Sequence, residues 1–206
     1  LVAAAEAGNV QACSHLVNLG ADVNYVTAGG MTAVMHASQK GQVDAISALA
    51  AVGASLHQQT TQPSAQARAL AVVTAATTTT TTSSLPQNTA LISAVIGGQK
   101  ESIRTLVDSA ETADFETADG LTALIQAAKM GQIETIRLLL ERGETADFET
   151  TGGMTALIAA ALEQQVDSMA ELVRNGAKID RQNGAGLTAT AVAAMAGKST
   201  SLTQLC

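Results

Sequence analysis

DGLTALIQAAKMGQIETIRLLLERGETAD, residues 119–147, reads as two short helices followed by the start of a loop. Thr122 precedes the apolar-periodic run ALIQAAK, where its hydroxyl can accept one of the backbone N–H groups that a helix start leaves unpaired. Nine residues on, Gly131 can take the left-handed backbone that stops a short helix. The run IETIRLLLERG at 133–143 is a second amphipathic helix, ended by Gly143. Two helices of this size cannot bury their own apolar face, so the unit needs neighbours.

The neighbours are in the sequence. MTAVMHA from Met31, NTALISA from Asn88, MTALIAAA from Met154 and LTATAVAA from Leu187 repeat the opening of the unit. Thr122, Thr155 and Thr188 are 33 residues apart. Nine after each Thr stand Gly41, Gly98, Gly131 and Gly197, with Gln164 the single exception. Twenty-one after each Thr of the four complete units stand Gly53, Ala110, Gly143 and Gly176. A fixed period of this size predicts helix, turn, helix and hairpin-like loop stacked into an all-α solenoid.

In this register the unit at 119–147 resembles the ankyrin repeat along its whole length, and LGADVN at 19–24 carries that family's ending intact. The resemblance covers residues 1–57 and 89–206, as six units in register with the first and last truncated. The family's Thr-Pro-Leu-His opening is here Thr-Ala-Leu-hydrophobic, with Ala33, Ala90, Ala123 and Ala156 in place of Pro. Losing a compatible Pro forgoes roughly 0.4–1 kcal/mol per site, so a softer array than a consensus one is expected. Leu1 falls two positions after an implied Thr and Cys206 eighteen after Thr188, with no polar cap at either end. Further chain on both sides is the expectation, because solenoids need capping repeats.

Thr32 and Thr89 are 57 residues apart, 24 more than one period. The surplus lies in a Thr/Ser/Ala-rich insert, residues 58–88, in the loop between the second and third units. SAQARALAVVTAA within it suits a short helix, while TTTTTTSS has no apolar content with which to pack. A tolerated loop expansion is the plain reading; a tether or phosphorylated segment is the functional one.

Composition excludes several classes. A formal net charge of −7 opposes nucleic-acid binding, which needs a basic face. No apolar run approaches the roughly 20 residues of a membrane helix. Two cysteines, Cys13 and Cys206, make no disulfide framework, and a reducing cytoplasmic setting is the expectation. Neither a catalytic constellation nor a small-molecule substrate site is evident, and no cofactor is implied. His15, His36 and His57 each occupy a repeat position, His15 at an expected core site of the second helix, and ligand spacing for a metal is absent. The glycines serve as helix stops and hairpins, leaving none for a phosphate-cradling loop.

What remains is protein or peptide recognition. ETADFET occurs at 111–117 and again at 144–150, in a region poor in Lys and Arg. Stacking would place the two copies about 10 Å apart. Glu111, Glu116, Asp119, Glu144 and Glu149 would then line an acidic edge suited to a basic partner; the plainer reading is a loop kept acidic for solubility. The family resemblance implies a second contact surface, on hairpin tips and the exposed side of each first helix. Carried over, it comprises Met31, Leu121, Met154 and Leu187 before the Thr residues, with Gln39, Lys40, Lys129, Met130, Leu162, Glu163 and Met195 on the helices. Methionine there suits adaptable apolar contact.

The expectation is thus a non-catalytic interaction module or scaffold. The alternatives are a regulatory or substrate-recruiting region of a larger enzyme, such as a kinase or ubiquitin ligase, and an architectural subunit of an assembly. Tyr25, Phe115 and Phe148, all the aromatic residues of the chain, share one repeat position. A ring there is expected to lean on the adjacent hairpin.

Overall fold

The computed structural model describes residues 1–56, 89–109, 116–117 and 120–197. The insert at 58–88 lies outside the described residues, as do His57, Glu111, Phe115, Asp119 and Cys206. Among the described residues there are eleven helices and no strand, as the period requires. The chain divides into two compact units, Leu1–Asp108 and Ser109–Cys206.

The first unit contains α1 (Val2–Glu6), α2 (Val10–Asn18), α3 (Ala33–Lys40), α4 (Val43–Ala51), α5 (Ala90–Gly97) and α6 (Lys100–Ser109). First helices α1, α3 and α5 pack side by side, and α2 lies against α4. Because α3 packs directly on α5, the second and third repeats are neighbours in the stack despite the residues between them. The second unit contains α7 (Ala123–Lys129), α8 (Ile133–Glu141), α9 (Ala156–Leu162), α10 (Val166–Arg174) and α11 (Ala189–Met195). Here α7, α9 and α11 form the row of first helices, and α8 lies against α10.

Each first helix starts as the sequence requires. The hydroxyls of Thr32, Thr89, Thr122, Thr155 and Thr188 accept from the backbone N–H three residues on, at 3.1–3.4 Å. Each such cap is worth about 1 kcal/mol. The stop signals hold as well. Gly41 and Gly98 cap α3 and α5 in the left-handed conformation, and Gly131 and Gly197 have φ of 71° and 68°. Gln164, the exception in the sequence, adopts the same backbone with φ 58°. The fold demands that conformation there and the side chain bears the strain.

Among the described residues one hairpin turn recurs four times between helices. Thr27, Thr117, Thr150 and Asn183 donate their N–H to the carbonyl four residues on and accept at their own carbonyl from the Gly three residues on. Their side-chain oxygens accept from the N–H of Met31, Leu121, Met154 and Leu187. Two oxygens of one residue therefore fix the whole turn.

The apolar faces close between the helix rows. Ile46, Leu49, Ile92, Ile103 and Leu106 are buried in the first unit, and Leu124, Ile125, Ile136, Leu139, Met169 and Leu172 in the second. Burying a side chain of this size is worth about 1.5–3 kcal/mol. Cys13 is among the core residues, as its position implies, and burial pushes its thiol pKa up. His15 differs from expectation: it is exposed on α2, because the core stripe of that helix runs through Cys13.

Candidate functional site

In the second unit a cavity of about 300 Å³ opens between two neighbouring repeats. One side is built by Gly120 and Leu121 of a hairpin with Ile125 and Lys129 of α7; the other by Thr150, Gly152 and Met154 of the next hairpin with Ala159, Leu162 and Glu163 at α9. The caps on Thr122 and Thr155 set this geometry, since they fix where each helix leaves its hairpin. Ile125 and Ala159 are buried and form the floor, while Leu121, Met154 and Leu162 are half-buried walls. At the helix C-terminal end stand Lys129, half-buried, and Glu163, exposed. Neither charged side chain has a hydrogen-bond or ion-pair partner among the described residues.

Five residues singled out from the sequence, Leu121, Lys129, Met154, Leu162 and Glu163, thus meet in one cavity. The others are spread more widely. Met130 is exposed beside this groove, and Met195 more so at the end of α11, at 42% and 76% of their surface. Leu187 is half-buried at the next hairpin. In the first unit Met31 and Gln39 are half-buried, and Lys40 lies 3.5 Å from Glu6 across α1 and α3.

Of the five acids expected on an edge, Glu116, Glu144 and Glu149 are among the described residues. Glu144 is only 6% exposed. Its register position holds Ala21, Ala54 and Ala177 in other repeats, and Ala54 and Ala177 are buried too. Glu116 accepts from both the backbone N–H and the hydroxyl of Thr151 on the next hairpin, at 2.9 and 2.7 Å. Glu149 repeats the tie one unit on, accepting from the Gly184 N–H, with Arg181 at 3.7 Å. Asp147 accepts from the Lys178 N–H at 2.9 Å. The acids of the second ETADFET, and Glu116 of the first, therefore hold hairpin to hairpin or lie inside. Phe148 is half-buried, in keeping with a ring that leans on its surroundings. Tyr25 lines a second cavity, about 420 Å³, with Leu1, Val2, Ala21 and Ala33 in the first unit.

Two sets of residues escaped the sequence reading. Gln42, Gln99, Gln132 and Gln165 stand ten after Thr32, Thr89, Thr122 and Thr155. A Cβ added at Gly8, Gly41 or Gly131 would collide with the amide of Gln42, Gln99 or Gln165 respectively. Gln42, Gln99 and Gln165 thus each lie over the preceding repeat's glycine turn, and the recurrence of one polar residue at one register position was the available signal. The second set is an ion network between α8 and α10. Arg137 donates to both oxygens of Glu171, Nε to Oε1 at 2.8 Å and Nη2 to Oε2 at 3.0 Å. Glu134 and Arg174 extend it at 3.2 Å each, and Asn175 Nδ2 donates to Glu171 Oε1. The Arg137 hydrogen bonds, opposed by burial, hold the Glu171 carboxyl at about 2. They raise the Arg137 pKa in turn.

Among the described residues no cluster of three or more His, Cys, Asp or Glu is placed to hold a metal ion. None of the described helices is long and apolar enough to cross a membrane.

Stacked helix pairs, joined by one repeated hairpin and presenting a groove between first helices, define a repeat-array protein. Ankyrin repeat models match residues 1–50 (many copies), 67–150 (three copies) and 152–184 (a single repeat). The chain belongs to the ankyrin repeat family. No curated protein sequence matches it. Among solved structures it is similar to an ankyrin repeat domain from Acinetobacter baumannii AYE, at 21% identity and TM-score 0.69, covering 99% of this chain and 94% of that one. It is also similar to a chain from the complex of a predatory endopeptidase of Bdellovibrio bacteriovorus with an immunity protein, at 24% identity and TM-score 0.70, covering 99% and 95%.

Proposed function

We propose that the chain is a non-catalytic protein-binding module and that the groove between α7 and α9 is its docking site. One observation carries this reading: an open apolar cavity between two capped helices, with one cationic and one anionic side chain at its mouth that no other described residue engages. Among the described residues, Glu116, Asp147 and Glu149 tie hairpin to hairpin and Glu144 lies in the interior. A partner recognised chiefly by an acidic edge is therefore not favoured, and apolar contact at Leu121, Met154 and Leu162 takes its place. An intracellular, reducing setting fits Cys13, a buried free thiol.

Site-specific photo-crosslinking in the full chain tests the reading. A photoreactive residue at position 154 is expected to capture a protein partner, and one at the exposed position 47 of α4 is not. Capture at position 47 with none at 154 would move the site off the groove.

A further inference from the structure

Resting on that reading, we propose that the groove is read by a short extended segment of a partner protein with a fixed charge pattern. An apolar side chain fills the cavity, with a carboxylate two residues to one side and an ammonium or guanidinium two residues to the other.

The pattern follows from geometry and charge together. In an extended chain, residues i and i±2 point to one face, about 6.6 Å apart per step. An anchor seated between α7 and α9 therefore carries its i−2 and i+2 neighbours over the two flanking helices. Those neighbours span about 13 Å, against helix axes about 10 Å apart whose exposed side chains lean outward. Over α7 the neighbour meets Lys129, and over α9 it meets Glu163. Among the described residues the lining holds no other charge, and neither of these two is neutralised there. A like-signed pair on the segment would place one of its charges against its own sign. The charge rule fixes which signs flank the anchor and leaves the direction of the segment open, since an extended chain can cross either way.

Fluorescence anisotropy on the full chain tests this with three labelled peptides of one length. All have a central leucine and serine spacers. At the positions two before and two after it they carry one glutamate and one lysine, two lysines, or two glutamates. The unmodified protein is expected to prefer the mixed peptide by about threefold to fivefold over each of the others, the scale of one exposed charge pair. Lys129→Glu shifts the preference to the two-lysine peptide, and Glu163→Lys to the two-glutamate peptide, with circular dichroism unchanged. A chain of net charge −7 attracts cationic peptides non-specifically, so a ranking headed by two lysines in all three proteins overturns the inference. No binding of any peptide at millimolar concentration also overturns it. Leu162→Gln separates the two levels. If it abolishes binding of all three peptides while the charge variants leave their ranking unchanged, groove docking stands and the charge rule falls. If Leu162→Gln leaves binding intact, the groove itself is not the site.

Discussion

In the first unit α5 ends on Gly97 and comes so close to α3 that any Cβ at that position would collide with the Gln39 carbonyl. In the second unit the same register position is Glu163, and α7 and α9 part to leave an open groove. The units differ in charge to match. Residues 1–108 hold five acidic and four basic residues, net −1; residues 109–206 hold thirteen and seven, net −6. Where Arg137 and Glu171 bridge the second helices of the second unit, the first has Ser14 and Ala48. Thus in one array α3 and α5 meet at backbone contact, beside one exposed ion pair between Lys40 and Glu6. The other is tied at its hairpins and second helices by ions, which leaves its first helices free to stand apart. A docking groove between first helices is compatible with the second arrangement, and Gly97 closes the corresponding place between α3 and α5.

Acid should break this contrast most. The folded Glu171 carboxyl sits at about 2, below the ordinary value of 4.5. Its contribution is therefore complete above 4.5 and is lost as the pH falls toward 2. Hydrogen exchange across that window should show α8 and α10 losing protection while α2 and α4 keep theirs. Glu171→Gln should remove the pH dependence of that difference. Equal loss in both units at each pH would show that the bridge does not decide the acid response.

Gly97→Ala tests the other side of the contrast. The added methyl has backbone against it, so the helices must separate, at a cost of about 2 kcal/mol in urea unfolding. Glu163→Ala, at the same register position, should stay within about 0.5 kcal/mol. Comparable losses for the two would mean that the α3–α5 approach is no tighter than that of α7 and α9.

A gain is expected at Gln164. Its φ of 58° is the only positive value at a non-glycine position among the described residues. Gln164→Gly should relieve about 1 kcal/mol of backbone strain, visible as a higher thermal midpoint. A lower midpoint would mean that its side chain contributes more than its backbone costs. This site shows what the sequence conveyed well. Local signals such as the threonine caps and glycine stops are legible because each acts on its own turn of chain, and even the exception at Gln164 identified the strained residue. The interior position of Glu144 and the bridging of Glu171 were not legible in that way. Both depend on what faces a residue one repeat away, and a carboxylate in a loop reads as solvated until its neighbour is in place. Repetition could have supplied part of this: Glu144 aligns with buried alanines, and Arg137 and Glu171 are opposite charges 34 residues apart, one period plus one.

The smallest expected effect is at the hairpin ties, and it separates a structural acid from a recognition acid. Glu149 accepts from the Gly184 N–H and faces Arg181 across an exposed 3.7 Å contact. Glu149→Gln keeps an acceptor oxygen of the same reach but removes the charge. Most of the tie should survive, with a loss of a few tenths of a kcal/mol. Glu149→Ala removes the acceptor as well, and its cost should approach 1 kcal/mol. Because the N–H it leaves lies in an exposed hairpin, water replaces part of the bond, which keeps the loss from growing larger. Neither change touches Leu121, Met154 or Leu162, so peptide affinity at the groove should hold within twofold. Were Glu149→Gln to weaken binding tenfold while leaving unfolding unchanged, the carboxylate would be a recognition group and the acidic edge would have to be restored to the site.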